Sequence, residues 1–223
     1  MIKVAPSILA ADPINLERDV RRAVKAGCDW IHVDVMDAHF VPNMAYTPDI
    51  VRRLKDTVDV PLDVHLMMDH PETMLDLFLE AGADVLTIHA EIGADVSALL
   101  EKIRSAGAIP GIAIRPGTPT DMIRGYRDHA DLILTMTVEP GFGGQKLDER
   151  VTDKMKALRK DGFTGYIEAD GGLREDNLQL LINSGLDIAV MGTALFGADD
   201  MKGAIRRIHR MERMSADVSG EEK

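Results

Sequence analysis

One cysteine, Cys28, is all that the 223 residues contain, so neither an intramolecular disulfide nor a thiolate metal cluster is possible. It follows Gly27, a helix-ending residue type, and reads as a small buried side chain. Positive charge is short as well: 26 Lys and Arg stand against 37 Asp and Glu, a formal net charge of −11. A field of that sign repels nucleic acid and anionic membrane surfaces, so neither is expected as a partner. An anionic ligand would then have to be held locally, by backbone amides and helix ends. No apolar run approaches the roughly 20 residues of a membrane span. The opening MIKVAPSILA enters a strand pattern without the basic-then-apolar layout of a secretory leader. The expectation is a soluble, cytoplasmic protein. No break in composition demands a second domain, and the length sits near the lower end of the roughly 200 to 250 residues of a closed (β/α)8 barrel.

What the chain does contain is a recurring alternation. Short runs rich in Val, Ile and Leu occupy 2–8, 30–35, 61–67, 84–89, 108–114, 131–137, 165–170 and 186–191, the eight strands that such a barrel needs. Between them lie amphipathic stretches with helix-end signals. Asp12-Pro13 supplies a cap and a first-turn proline, Leu16, Val20 and Val24 follow at helical spacing, and Gly27 terminates. Similar patterns follow Pro48, Pro71, Pro119 and Asp176, and another fills 94–106 before Gly107. A helical unit between each pair of strands favours parallel pairing with right-handed crossovers. The expected fold class is therefore α/β, a single (β/α)8 TIM barrel over 1–214. A doubly wound open sheet is the alternative, but it would place a Gly-rich loop after the first strand, where this chain has Ser7-Ile8-Leu9. The tail 215–223, SADVSGEEK, carries too little apolar content to pack and is expected to be disordered.

In this architecture the chemistry sits at the carboxyl ends of the strands. Period-2 alternation places His32, Asp34 and Met36 on one strand face, Asp63, His65 and Met67 on another, and Glu168 and Asp170 on a third. If those faces point inward, His32, Asp34, His65 and Asp170 converge. Two imidazoles and two carboxylates suit one divalent metal ion, with zinc, iron, manganese and cobalt all compatible. Taken singly, His32 reads as a hydrogen-bonded strand histidine, Asp34 as half of a structural ion pair, and Asp63 as a carboxylate below the site. The coincidence of His-x-Asp and Asp-x-His on consecutive buried strands points to a metal instead, because adjacent buried charges are costly unless paired or ligated.

A second constellation is glycine. Gly141, Phe142, Gly143 and Gly144 follow the 131–137 strand, Gly171-Gly172 follow the next, and Gly192-Thr193 the last. Glycine lets a backbone approach an anion closely and aim several N–H groups at it. One such turn means little, but three at the same barrel end point to a phosphate. Lysine is missing where a Schiff base would need it. Only Lys3 lies within an assigned strand, and Lys146 follows the glycine loop, which disfavours aldolase or Asp–Lys decarboxylase chemistry. Met36, Met67 and Met136 lie at strand ends, where core packing is the ordinary reading.

The strings APSILAAD, WIHVDVMD followed by HFVPN, PLDVHLM, TVEPGFGGQK, ADGG and VMGTALF occur in that order. From Val4 to Phe196 the chain resembles the ribulose-phosphate 3-epimerase family. The resemblance implies an isomerase interconverting D-ribulose 5-phosphate and D-xylulose 5-phosphate, with His32, Asp34, His65 and Asp170 as metal ligands. It implies that Asp34 and Asp170 are the acid/base pair and that Ser7 and His65 lie near the substrate. By the same resemblance, Gly141 to Gly144, Gly171, Gly172, Gly192 and Thr193 form a phosphate cradle, and Met36, Met67 and Met136 flank the reacting carbons. A small-molecule sugar phosphate is the implied partner, and a homo-oligomer, dimer or hexamer, the implied assembly. Two opposed carboxylates suit epimerisation, since a proton must leave one face of C3 and return to the other.

The departures from the family pattern lie at pocket edges. Ala38 stands where the family usually has Gly, and Met44-Ala45-Tyr46-Thr47-Pro48 replaces its usual segment. Arg115-Pro116 stands for Asn-Pro, and Gly192-Thr193 for Gly-Ser. They keep D-allulose-6-phosphate and tetrulose-phosphate 3-epimerases as alternatives. From other classes, a non-catalytic phosphosugar-binding barrel and a barrel lyase are the competing readings. Arg115 is expected either as a surface ion-pair residue or as positive charge near the substrate mouth.

Overall fold

The structure is a computed structural model that describes residues 1–214; the expectation made for 215–223 lies outside the described residues. Its strands are β1 (Lys3–Pro6), β2 (Ile31–Asp37), β3 (Met44–Ala45), β4 (Leu62–Met67), β5 (Val85–His89), β6 (Ile109–Ile114), β7 (Leu132–Met136), β8 (Tyr166–Asp170) and β9 (Ile188–Met191). All pair in parallel in the order β1-β9-β8-β7-β6-β5-β4-β2, except β3, which lies antiparallel on β2. The ends of that order meet: Ser7 bridges His32 in parallel, and the Val4 carbonyl accepts from Asp29 N at 3.0 Å. The eight parallel strands thus close into the expected barrel, with no edge of the kind an open doubly wound sheet would leave.

The helices are α1 (Leu16–Ala26), α2 (Pro48–Lys55), α3 (Leu75–Glu80), α4 (Val96–Ser105), α5 (Val151–Lys160), α6 (Leu178–Asn183), α7 (Thr193–Phe196) and α8 (Met201–His209). Three local expectations need correction. The first helix begins at Leu16, not at Pro13, because Asp12 accepts from Ile14 N at 3.0 Å and Asn15 Nδ2 at 2.7 Å and folds 12–15 into a turn. After Pro71 a 3-10 turn (Pro71–Thr73) precedes a short α3. After Pro119 there is no α-helix, only 3-10 turns at Thr120–Ile123 and Arg127–His129. Gly125 interrupts that stretch and Ile123 is its single fully buried apolar residue, too little of a stripe to propagate a helix.

Two apolar layers hold the fold. Val20 and Ala23 of α1, Leu100 and Ile103 of α4, Leu158 of α5 and Ile205 and Ile208 of α8 pack on outward strand residues such as Val33, Val64, Ile112, Ile133 and Ile167. Each fully buried Val, Leu or Ile contributes about 1.5–3 kcal/mol. Inside the barrel, Ala5, Val85, Leu132, Leu134, Ile188 and Val190 form a separate cluster with Trp30. The Trp30 ring meets Tyr166 edge-on at 5.7 Å, and the Lys3 ammonium lies 5.8 Å over it. Trp30 and Tyr166 precede or open their strands, so Lys3 sits at the amino end of the barrel, away from the carboxyl ends.

Candidate active site

Register decides which side chains meet. On β2 and β4, His32 lies beside Asp63, Asp34 beside His65 and Met36 beside Met67; on β7 and β8, Met136 lies beside Asp170. Parallel neighbours at one height point the same way, so the two His/Asp pairs share the barrel interior. One ligating atom each from His32, Asp34, His65 and Asp170 lies within 4.8 Å of the others. The side chains expected to converge are thus adjacent.

Their remaining hydrogen bonds orient them. His32 Nδ1 lies 2.5 Å from Asp63 Oδ2, which leaves Nε2 facing Asp34 Oδ1 at 3.4 Å. His65 Nδ1 faces the same Asp34 oxygen at 3.6 Å. Both of these ring nitrogens are buried and lack a hydrogen-bond partner. Burial alone would lower the His32 pKa, but the Asp63 and Asp34 carboxylates outweigh it and hold the ring well above its usual value. Burial would raise Asp34, yet His32 and His65 pull it well below the carboxylate range. For Asp170 the balance falls the other way: burial and the Asp34 charge outweigh the pull of His32 and push it up to about 7. Two carboxylates this close in a dry site repel unless positive charge lies between them. Two orphaned imidazole nitrogens aimed at the same point make the donor set a fit for a divalent ion, and its mixed N/O character does not select among the candidate metals.

Beneath this cluster, His32, Asp63 and Glu168 form a second group. Both Glu168 oxygens are buried without a partner, and burial followed by the Asp63 charge holds that carboxyl well above its usual pKa. That direction favours the protonated form of Glu168 beneath His32 and Asp63.

Above the cluster opens a cavity of about 210 Å³. Ser7, Asp34 and Asp170 line its floor with Met36, Met67 and Met136, and Gly141, Phe142, Gly143, Gly144, Gly171, Gly172, Gly192 and Thr193 line the rest. His32 and His65 do not line it but lie fully buried below. Gly172 is needed for its backbone: φ is +67°, and a Cβ there would fall 2.6 Å from both Gln145 O and Leu147 N. The 171–172 turn is thereby pressed against the segment leaving the 141–144 turn.

Sequence reasoning passed over several residues. Arg174 lines the cavity beside the glycine turns; a cation two positions after Gly172 was its only signal. His89 Nε2 lies 2.9 Å from His65 Nε2, and His89 Nδ1 lies 3.0 Å from Glu91 Oε2. Glu91 Oε1 accepts from Arg115 N at 2.8 Å and from the Thr118 hydroxyl at 2.5 Å. Burial holds the His89 pKa down to about 4. Glu91 is drawn to about 2, because its bonds with His89, Arg115 N and Thr118 outweigh its own burial. The visible signal was alternation, His-x-Glu at the end of β5.

Among the described residues Arg115 makes no ion pair, contrary to the first expectation for it. Its guanidinium lies 4.1 Å over the Phe40 ring and donates to the Phe40 carbonyl at 3.1 Å, and it lines a side cavity with Phe142 rather than the main one. Ala38 has φ of +63°, the conformation for which glycine is the easy choice. In the altered 44–48 segment, the Tyr46 hydroxyl donates to Ile8 O at 2.7 Å and Thr47 precedes α2.

The ribulose-phosphate 3 epimerase family matches residues 3–196. This chain belongs to the ribulose-phosphate 3-epimerase family. The ribulose-phosphate 3-epimerase of Bacillus subtilis (strain 168) is 42% identical, covering 93% of this chain and 98% of that one. The chloroplastic ribulose-5-phosphate-3-epimerase of Arabidopsis thaliana is also 42% identical, covering 96% of this chain and 79% of its own. Among solved structures, KGPDC from Streptococcus mutans matches with a TM-score of 0.72 at 16% identity, covering 94% and 96% of the two chains, a likeness of fold alone. As a ribulose-phosphate 3-epimerase family member the protein is an isomerase, an epimerase acting on carbohydrates. The binding-only and lyase readings give way to that class. Among the described residues no helix is long and apolar enough to cross a membrane.

Proposed function

We propose that the protein interconverts D-ribulose 5-phosphate and D-xylulose 5-phosphate by two-base proton transfer at C3 through an enediolate. The observation that carries this reading is the approach of Asp34 and Asp170, one ligating oxygen of each within 4.8 Å, beneath a cavity rimmed by three glycine-rich turns. In either direction one carboxylate takes the C3 proton and the other returns one to the opposite face. The pair titrates as a unit, so its apparent pKa values belong to both residues. Ser7 fixes the plane of Asp34 through a 2.6 Å bond to Oδ2. Backbone amides of the 141–144, 171–172 and 192–193 turns hold the phosphate, which suits a chain whose overall charge repels it. Met36, Met67 and Met136 wall the reacting carbons with polarisable apolar surface and keep water from them. A divalent ion held by His32, Asp34, His65 and Asp170 would supply positive charge to stabilise the enediolate.

The test is incubation of metal-replete protein in D2O with D-ribulose 5-phosphate and, in parallel, D-allulose 6-phosphate, with NMR following deuterium at C3 and each 3-epimer. Exchange with the pentulose establishes the proposal. Exchange with the hexulose alone would keep the chemistry and move the substrate, the outcome that the Thr47 and Thr193 departures leave open. Loss of exchange on chelation, restored by one added divalent ion, tests the metal. Assembly as a dimer or hexamer and a cytoplasmic location complete the proposal on family membership, and are read by light scattering and by fractionation.

A further inference from the structure

The chain of contacts running from His65 outward has a preferred polarity. For His65 Nδ1 to offer a lone pair to the cluster, the ring proton must sit on Nε2, which then donates to His89 Nε2 at 2.9 Å. His89 must in turn carry its proton on Nδ1, which donates to Glu91 Oε2 at 3.0 Å. Glu91 ends the chain as a pure acceptor, because its other oxygen already takes Arg115 N and the Thr118 hydroxyl. The opposite polarity would put a bare His89 Nδ1 against a bare carboxylate oxygen and a proton on His65 Nδ1. Two lone pairs repel more at that 3.0 Å than the His65 Nδ1 lone pair does against Asp34 Oδ1 at 3.6 Å, a contact that a cation in the cluster would relieve, so the Glu91 carboxylate favours the first arrangement. The His89 ring has little freedom to escape: Phe40 lies against it at 4.5 Å between centroids, with the Arg115 guanidinium over Phe40.

We propose that Glu91 is a positioning residue which, through His89, fixes the tautomer of His65 so that the Nδ1 lone pair faces Asp34. This rests on the reading of His32, Asp34, His65 and Asp170 as a metal site, and names what prepares one of its ligands. Outer partners of metal-bound histidines commonly set affinity by about 10–100-fold. Here the partner is a second histidine with a carboxylate behind it.

Glu91→Gln isolates the effect. The amide oxygen still accepts from Arg115 N and Thr118, so the 115–118 loop stays anchored, while the amide NH2 now faces His89 and favours the reversed chain. Two-dimensional 15N–1H spectra of the histidine rings in metal-free protein should show His65 protonated on Nε2 in the wild type and on Nδ1 in a substantial share of E91Q. Mn2+ titration followed by electron paramagnetic resonance should show binding weakened about 10–100-fold in E91Q. Thr118→Val removes a bond to the same carboxylate without reversing the chain, and should leave the tautomer as it is; a merely structural Glu91 would make the two variants behave alike. If E91Q does not fold, His89→Phe keeps the ring contact with Phe40, removes both nitrogens, and should release the tautomer preference of His65. An unchanged tautomer in E91Q overturns the proposal. Wild-type protein that takes up no Mn2+, or any other divalent ion of the set, would overturn the metal reading instead, and the tautomer comparison would still decide the role of Glu91.

Discussion

The Ser7 hydroxyl donates to Asp34 Oδ2 at 2.6 Å, so that Oδ1 of the same carboxylate is the atom facing His32 Nε2 and His65 Nδ1. Ser7 also bridges His32 across the seam between β1 and β2. Closure of the barrel and orientation of a candidate base therefore depend on one residue. Ser7→Ala keeps the backbone bridge and removes only the hydroxyl. Its expected effect is a fall in kcat/KM of roughly 10–100-fold with the fold intact, read by steady-state kinetics alongside circular dichroism; wild-type kinetics would remove Ser7 from the site.

Asp170→Asn tests the two-base reading directly. A general acid or base contributes about 10²–10⁴-fold, so deuterium exchange at C3 should fall by at least that factor. The amide also relieves the burial of a charge and the repulsion by Asp34 that together push Asp170 up to about 7. The metal-free variant should therefore melt no lower than metal-free wild type. Substantial turnover would take Asp170 out of the acid/base role.

Gly172→Ala places a methyl 2.6 Å from two backbone atoms, Gln145 O and Leu147 N, at a φ of +67°. The two glycine-rich turns must then part. The expected result is a KM for the sugar phosphate raised about tenfold or more, equivalent to ~1.4 kcal/mol of binding for each factor of ten. The dephosphorylated ketose, handled poorly by both proteins, should show no such difference. Equal losses for both compounds would place the 171–172 turn outside phosphate binding.

Burial and the neighbouring Asp29 charge push the Cys28 thiol up to about 12. At pH 8 its thiolate fraction is on the order of 10⁻⁴. A thiol reagent should therefore label native protein only at the rate of unfolding and label denatured protein at once, as mass spectrometry would record. Rapid labelling of the native chain would contradict this.

The Glu91 carboxyl, drawn from 4.5 to about 2, adds stability that is full above its ordinary pKa and declines as pH falls toward about 2. Wild-type protein should lose unfolding free energy between about pH 5 and pH 3 more steeply than Glu91→Gln, whose amide does not titrate. Parallel slopes in denaturant titrations would show that the folded-state value is not depressed.

Much of this was legible in the chain. Alternation along a strand is a local property with a period of two, so the runs 30–35, 61–67 and 165–170 already placed His32 with Asp34, Asp63 with His65, and Glu168 with Asp170 on common faces. The eight strands and the glycine turns at their carboxyl ends carried the fold and the cavity rim for the same reason. The start of the first helix is not legible because Asp12 caps a turn as readily as a helix, and the 120–129 stretch is not because a proline and a helix-like spacing do not reveal how little of it is buried.

What no local pattern encodes is the relation between strands. The β2–β4 register that sets Asp34 beside His65, the Ser7 seam, the stacking of Arg115 on Phe40, and the chain from His65 through His89 to Glu91 all join residues brought together only when the barrel closes. The sequence by itself determined which side chains each strand presents to the interior; tertiary closure decided which atoms face one another there, because strand stagger and loop anchoring are properties of the whole ring and not of any one strand.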